Sequence, residues 1–524
     1  MHRHPGSRTV NPAVGVRPGH RATGWRETGV GLVLGLLLIG ASSEAAGPGN
    51  LPVRVSGGMV QGRLGEAGDA RIFEGIPFAA PPLGDRRWRP PAPVIPWTGI
   101  RKVDKPAPSC MQNDYGWNRA NHLFASEDCL TLDVRAPLKG QRLPVMVWIH
   151  GGSNRAGGAG GTVSSRITEQ GVVLVAVQYR LGIFGFLAHR QLAAEQAGAS
   201  GNYGLMDQIA ALQWVQDNIT RFGGDPGNVT LFGESAGSQD VSLLLATPLT
   251  RGLFHKAIMQ SGTPGFGMAF RPRDAAFDLG DQLDALTGGG DLAALRRADA
   301  AALLAADLQL RDAALWDQNF LWLRTTIDGH VLHRAPDKLL AAASPRPVIV
   351  GSNRFEFGPS PGSVDITAYV QHWLGRKATK ALAFYRAEES AGADPRLGPI
   401  EARIETDFVF RCPAGNLAAL LAERRWPVWR YEFDAPAPGA PRDNLTAHAA
   451  EIGYILNREP LGLSGQQVQL QDYWVNFARA GDPNADGLPV WGPFAGGAYA
   501  AIGTGGLSMR QKLRPKPCDL IGAL

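Results

Sequence analysis

The sequence predicts an α/β fold: a large, mixed, mostly parallel central sheet flanked by helices, with further lid or side helices inserted beside it. Three observations carry this reading. Short apolar segments of strand character alternate with segments of helical spacing, the pattern that builds parallel sheets through helical crossovers. Two stretches, Gly265 to Pro345 and Pro395 to Ala422, are rich in helix-forming residues at helical spacing and read as the inserted helices. After residue 46 no repeat, long linker or break in composition interrupts the chain, so a single domain is expected over 46–524.

The elements follow in order. Residues 1–45 read as an export leader: an Arg-bearing stretch, the 12-residue apolar run Gly29 to Gly40, then Ala41, Ser42, Ser43 and Ala45, with a cut expected after Ala45. A retained anchor is the alternative, but a spanning helix needs roughly 20 apolar residues. The expected location is therefore exported, periplasmic or secreted, with no stable membrane span in the mature chain. Leu51 to Leu64 reads as a hairpin turning at Gly57-Gly58. Pro77 to Pro96 is proline-rich and reads as extended surface chain. Val145 to Ile149 and Val172 to Tyr179 read as buried strands. Leu205, Ile209, Leu212, Val215 and Ile219 lie on one face of a helix. Strands are expected at Asn228 to Phe232, Lys256 to Gln260, Val348 to Val350 and Val428 to Phe433, and a helix at Val468 to Ala480.

Composition excludes several classes. The 524 residues are 44% apolar and 19% charged, which is globular rather than disordered. Five Arg against two Glu in residues 1–45 supply three of the five net positive charges, leaving +2. Neither that charge nor any Lys/Arg stripe suits nucleic acid. Cys110, Cys129, Cys412 and Cys518 are an even set, suited to two bridges in an oxidising compartment. Three pairings are open, of which neighbour pairing would join Cys110 to Cys129 and Cys412 to Cys518. With no CxxC or Cys/His cluster, no metal or other cofactor is expected.

Chemistry concentrates at Gly233-Glu234-Ser235-Ala236-Gly237, a G-x-S-x-G between a strand and an apolar helical run. That context is a nucleophile elbow, whose tight turn needs small flanking residues. A serine hydroxyl needs a base, and the base an orienting acid. His448, in a loop after the strand Val428 to Phe433, is the candidate base. Glu356, just past the strand Val348 to Val350, is the candidate acid, with Asp434 and Asp443 as competitors. His150-Gly151-Gly152-Ser153 resembles the H-G-G-G loop that donates backbone N–H groups to an oxyanion, and Ala236 N–H adds another donor.

These residues, in order, resemble type B carboxylesterases of the α/β-hydrolase fold. The likeness extends through Phe73-Glu74-Gly75-Ile76-Pro77, Ser126-Glu127-Asp128-Cys129-Leu130 and Gly201-Asn202-Tyr203-Gly204. Phe222-Gly223-Gly224-Asp225-Pro226, Gly351-Ser352-Asn353, and His448 with Glu451 continue it. The resemblance implies a serine carboxylesterase without cofactor, acting on a small-molecule ester. It implies Ser235, Glu356 and His448 as triad, Gly152, Ser153 and Ala236 as oxyanion donors, and the neighbour pairing of cysteines. A non-catalytic binding protein on the same fold is the other class, with lipase and cholinesterase as variants within the enzyme class. Ser153 stands where the family has a third glycine, and Arg155 behind it is unusual. Trp117 with Glu234 could hold a quaternary ammonium by cation–π attraction, or simply pack in a surface loop. Arg155 could pair with a carboxylate-bearing ester, or stand solvated.

Overall fold

The computed structural model describes residues 52–312, 315–316, 325–359, 362–441, 444–461 and 469–522. Residues 1–45, where a leader is expected, and the competitor acid Asp443 lie outside them. The central sheet takes its strands in chain order as β1 Arg63–Leu64, β2 Ala70–Pro77, β3 Thr131–Pro137, β4 Leu143–Ile149, β5 Val173–Val177 and β6 Gly224–Glu234. It continues with β7 Lys256–Gln260, β8 Val348–Asn353, β9 Val428–Asp434, β10 Ala498–Gly503 and β11 Gly506–Gln511. Their spatial order is β11-β10-β9-β8-β7-β6-β4-β5-β3-β2-β1. From β5 across to β10 every pairing is parallel. The outer strands pair antiparallel on both sides. The described residues fall within one compact unit, Ala46–Leu524.

The parallel strands read as continuous apolar runs because both faces are covered. Along β4 the side chains alternate between two cores. Val145, Val147 and Ile149 join the core with Leu205, Leu212 and Val215 of the helix Tyr203–Asn218. Met146 and Trp148 join the opposite core with Tyr473, Trp474 and Phe477 of the helix Leu470–Ala480. Burying one such side chain contributes about 1.5–3 kcal/mol, so each of these helices is held by its apolar stripe rather than by propensity.

Two expectations shift. The first hairpin, Val53–Val55 with Gly58–Gln61, pairs Val55 with Gly58. Its turn is therefore Ser56-Gly57, one residue earlier than expected. The proline-rich stretch is not wholly surface: Trp88 is fully buried and its Nε1 donates to the Ile183 carbonyl at 2.7 Å. A large indole with a satisfied N–H gains more by filling the core than by lying on it.

The cysteines pair as neighbours, Cys110 with Cys129 and Cys412 with Cys518. Among the described residues no helix is long and apolar enough to cross a membrane.

Candidate active site

Strand β6 ends at Glu234 and the helix Ala236–Ala246 begins two residues later, with Ser235 as the hinge between them. Ser235 takes φ 56° and ψ −126°, a conformation that non-glycine residues hold only under constraint. Its N–H donates to the Gln260 carbonyl at the end of β7, 2.8 Å away. The flanking glycines are steric necessities. A Cβ on Gly237 would lie 2.1 Å from the Ile149 carbonyl oxygen, and one on Gly233 2.7 Å from the same atom. The elbow is thus wedged against the end of β4, which is where the next element of the site begins.

His448 and Glu356 meet behind the elbow. Glu356 stands three residues past β8, folded back so that the Asn353 N–H donates to its Oε1 at 2.7 Å. Its other oxygen accepts from His448 Nδ1, also at 2.7 Å. The His448 N–H donates to the Glu356 carbonyl at 3.0 Å, clamping the two loops together. Phe357 and Phe410 flank the imidazole, with ring centroids 4.8 and 5.1 Å away. Asp434 faces elsewhere, bonded to Arg396 at 2.8 Å. Nδ1 is committed to a buried carboxylate, so Nε2 is the nitrogen turned towards the elbow.

That nitrogen does not engage Ser235. It lies 3.1 Å from Glu234 Oε1, at ion-pair distance without the alignment of a hydrogen bond. Among the described residues no hydrogen bond joins Ser235 Oγ to His448; such bonds commonly tighten only when substrate is bound. The charge on His448 follows from these neighbours. Burial pulls its pKa down, but the Glu234 and Glu356 carboxylates outweigh burial and raise it to about 9. Burial raises the Glu234 carboxyl as well, against the pull of His448. The pair therefore keeps a proton into the alkaline range.

A third carboxyl, Glu451, is fully buried nearby. Gln260 Nε2 and Asn353 Nδ2 donate to it at 3.1 and 2.8 Å. Burial and the proximity of Glu356 raise its pKa. Asn353 thereby holds two acids at once, one by its backbone and one by its side chain.

The loop after β4 completes the site. Gly152 has φ 110°, where only glycine sits without strain, and Ser153 follows at φ 58°. Among the described residues no acceptor takes the N–H of Gly152 or Ser153. The N–H of Ala236 lies in the first helical turn, where no intrahelical acceptor exists. His150 stacks on Tyr179 at 4.4 Å, and the Tyr179 hydroxyl donates to the His150 carbonyl at 2.7 Å. Burial pushes the His150 pKa down to about 4, so the ring is neutral.

Ser235, His448, Gly152, Ser153 and Glu234 open onto one cavity of about 820 Å³, with Trp117 and Arg155 also on its wall. Trp117 is 66% exposed, at the mouth, on the loop closed by Cys110–Cys129. Arg155 is not solvated. It is buried over the Tyr115 ring at 4.7 Å, and Asp307 lies close enough to feel its charge. Cys412–Cys518 lies outside the cavity lining. Among the described residues no cluster of His, Cys, Asp or Glu could hold a metal ion. Sequence reasoning missed Asn353 as a double support and Glu451 as a buried partner. Both stand inside quoted motifs, but nothing local tells which carbonyls and carboxylates they meet. Chemically, the cavity offers a strained hydroxyl, an oriented imidazole and free backbone donors, the parts needed for acyl transfer.

Comparison with known proteins agrees in kind. Residues 50–521 match the carboxylesterase family. Liver carboxylesterase 1 of Oryctolagus cuniculus is 35% identical over 480 residues, covering 82% of this chain and 84% of the relative. The fumonisin B1 esterase of Sphingopyxis macrogoltabida is 35% identical over 510 residues, covering 92% and 90%. Carboxylesterase 1E of Rattus norvegicus is 33% identical over 515 residues, covering 87% and 91%.

Proposed function

The chain belongs to the carboxylesterase family, and from that membership we propose that Ser235, His448 and Glu356 carry its ester hydrolysis. The enzyme converts carboxylic esters to acid and alcohol through a serine acyl-enzyme. In the proposed cycle His448 Nε2 takes the Ser235 proton as Oγ attacks the ester carbonyl. The N–H groups of Gly152, Ser153 and Ala236 receive the oxyanion, a contribution worth roughly 3–4 kcal/mol for one donor. His448 returns the proton to the leaving alcohol, and then activates the water that frees the acid. Glu356 fixes the tautomer and steadies the imidazolium.

The observation that carries this reading is the 2.7 Å bond from His448 Nδ1 to Glu356 Oε2 behind the cavity that Ser235 faces. Ser235 can pass its proton to His448 only when Nε2 is free, and the neighbouring Glu234 favours the protonated ring.

Trp117, Arg155 and Glu234 shape the cavity that receives the ester. Its volume suits an ester larger than acetate. Fumonisin B1, the ester in one relative's name, belongs in the substrate panel as a bulky member. Residues 1–45 act as a leader removed on export, and the two bridged pairs suit an oxidising destination outside the cytoplasm. The partner is a small ester, with no nucleic acid.

Hydrolysis of p-nitrophenyl acetate and butyrate by the purified protein, beside Ser235→Ala, tests the assignment. Turnover that collapses in the variant supports it. Equal turnover in both proteins removes Ser235 as nucleophile.

A further inference from the structure

The oxyanion loop contains a feature that its glycines do not explain. Ser153 and Asn154 take φ 58° and 55° in succession. Left-handed backbone costs a non-glycine residue roughly 1–2 kcal/mol, and persists only where surrounding contacts over-determine it. Asn154 supplies those contacts from a buried position, 1% exposed. Its Nδ2 donates to Asp240 Oδ1 at 3.0 Å. Its Oδ1 accepts from the Tyr179 hydroxyl at 3.3 Å, and its carbonyl from the Gly182 N–H at 2.7 Å.

Asp240 is the other half. It sits on the helix that begins directly after Ser235, fully buried, and its Oδ2 accepts from Gln208 Nε2 at 2.6 Å. Among the described residues no cation pairs with it; two side-chain amides are its donors. A buried carboxyl without a counter-ion is an expensive way to fill space. Here it is the only described side-chain hydrogen bond that joins the oxyanion loop to the nucleophile helix.

We propose that Asn154 and Asp240 are a positioning pair that sets the oxyanion hole. The pair ties the segment carrying the Gly152 and Ser153 N–H groups to the helix carrying the Ala236 N–H, so that all three converge on one point above Ser235. The inference rests on the reading of those groups as oxyanion donors, and it adds that their alignment is held by a side-chain bond 86 residues apart in sequence. Neither residue touches the ester; both act through the backbone they hold. Donors aimed at the oxyanion matter more in the transition state than in the bound ester. Loss of the pair therefore lowers kcat and leaves KM close to its starting value.

The test uses the whole protein and four variants. Ser235→Ala, run first, must abolish turnover; if it does not, the underlying site is wrong and the pair is not what failed. Asn154→Gly removes the side-chain bonds while accepting the left-handed φ, so it folds without strain. It is expected to lower kcat for p-nitrophenyl butyrate about 10²-fold, with KM within threefold. Affinity for a trifluoromethyl ketone, which forms a tetrahedral oxyanion adduct on the serine, falls by a similar factor. Asp240→Ala removes the acceptor for the Asn154 amide and is expected to behave likewise. In the exchange Asn154→Asp with Asp240→Asn the amide and the carboxyl trade places, and every hydrogen bond keeps a donor and an acceptor. That double variant is expected to regain kcat and ketone affinity to within about fivefold. Folded Asn154→Gly with wild-type kcat and ketone affinity overturns the proposal. So does an exchange variant that restores the melting temperature but not kcat.

Discussion

Glu234→Gln removes the carboxylate that stands 3.1 Å from His448 Nε2 while keeping the size and shape of the side chain. Burial alone would place the His448 pKa below its ordinary 6.5; Glu234 is the strongest opposing influence, Glu356 the next, and together they lift it to about 9. A general base works only when unprotonated. With an inflection near 9, only about one molecule in a hundred carries the free imidazole at pH 7. Taking away the group that raises it most destabilises the imidazolium, so the proton leaves at lower pH. Glu356 remains, so the fall is partial: about one to two pH units, at roughly 1.4 kcal/mol for each. The assay is kcat/KM for p-nitrophenyl butyrate from about pH 6 to 10, corrected for spontaneous hydrolysis; the inflection belongs to the Glu234–His448 pair rather than to either residue. The variant should reach its plateau earlier, so its activity at pH 7, as a fraction of plateau, rises about tenfold or more. Linkage gives a second readout. A folded pKa raised above the unfolded 6.5 contributes stability that is complete below pH 6.5 and lost as pH rises through about 9. Melting temperature should therefore fall less over that window in the variant. A wild-type inflection near 6.5, or one that Glu234→Gln leaves in place, refutes the reasoning.

Four further outcomes are expected. Glu356→Gln leaves His448 without its anion and with the wrong tautomer, and should lower kcat by about 10³–10⁴-fold with little change in KM. Gly237→Ala places a Cβ 2.1 Å from the Ile149 oxygen; relief requires more than about 1 Å of movement at the elbow, and kcat should fall about 10²-fold, measured beside an unchanged far-ultraviolet spectrum. The double change Cys412→Ala with Cys518→Ala opens a link across 106 residues, and should cost about 4–5 kcal/mol by loop entropy, read as a lower urea midpoint. Trp117→Ala, at the exposed mouth of the cavity, should raise KM for bulky esters while sparing p-nitrophenyl acetate. Choline-ester turnover that survives this change excludes the quaternary-ammonium role.

The legible parts of the site were those that local chain rules dictate. The elbow needs a strand, two glycines and a helix within about fifteen residues, and all of them are consecutive in the sequence. The acid was harder. Glu356, Asp434 and Asp443 all follow strands, and spacing did not separate them. Between the two described candidates, Glu356 is turned back by the Asn353 N–H and faces His448, while Asp434 is taken up by Arg396; Asp443 lies outside the described residues. Arg155 was read as paired with substrate or solvated. It is neither exposed nor alone, because the cavity wall puts Tyr115 and Asp307 beside it.

By itself, then, the sequence determined the alternation of strands and helices, the nucleophile turn and the glycine-bearing loop, since sterics and periodicity act over a few residues. The tertiary structure alone decided the approach of Glu234 to His448, the buried web of Gln260, Asn353 and Glu451, and the bond from Asn154 to Asp240. The hydrogen bonds among these join residues 86 to 191 positions apart. Their partners are selected by which strand ends the sheet brings together, and their charges by how much water that packing removes.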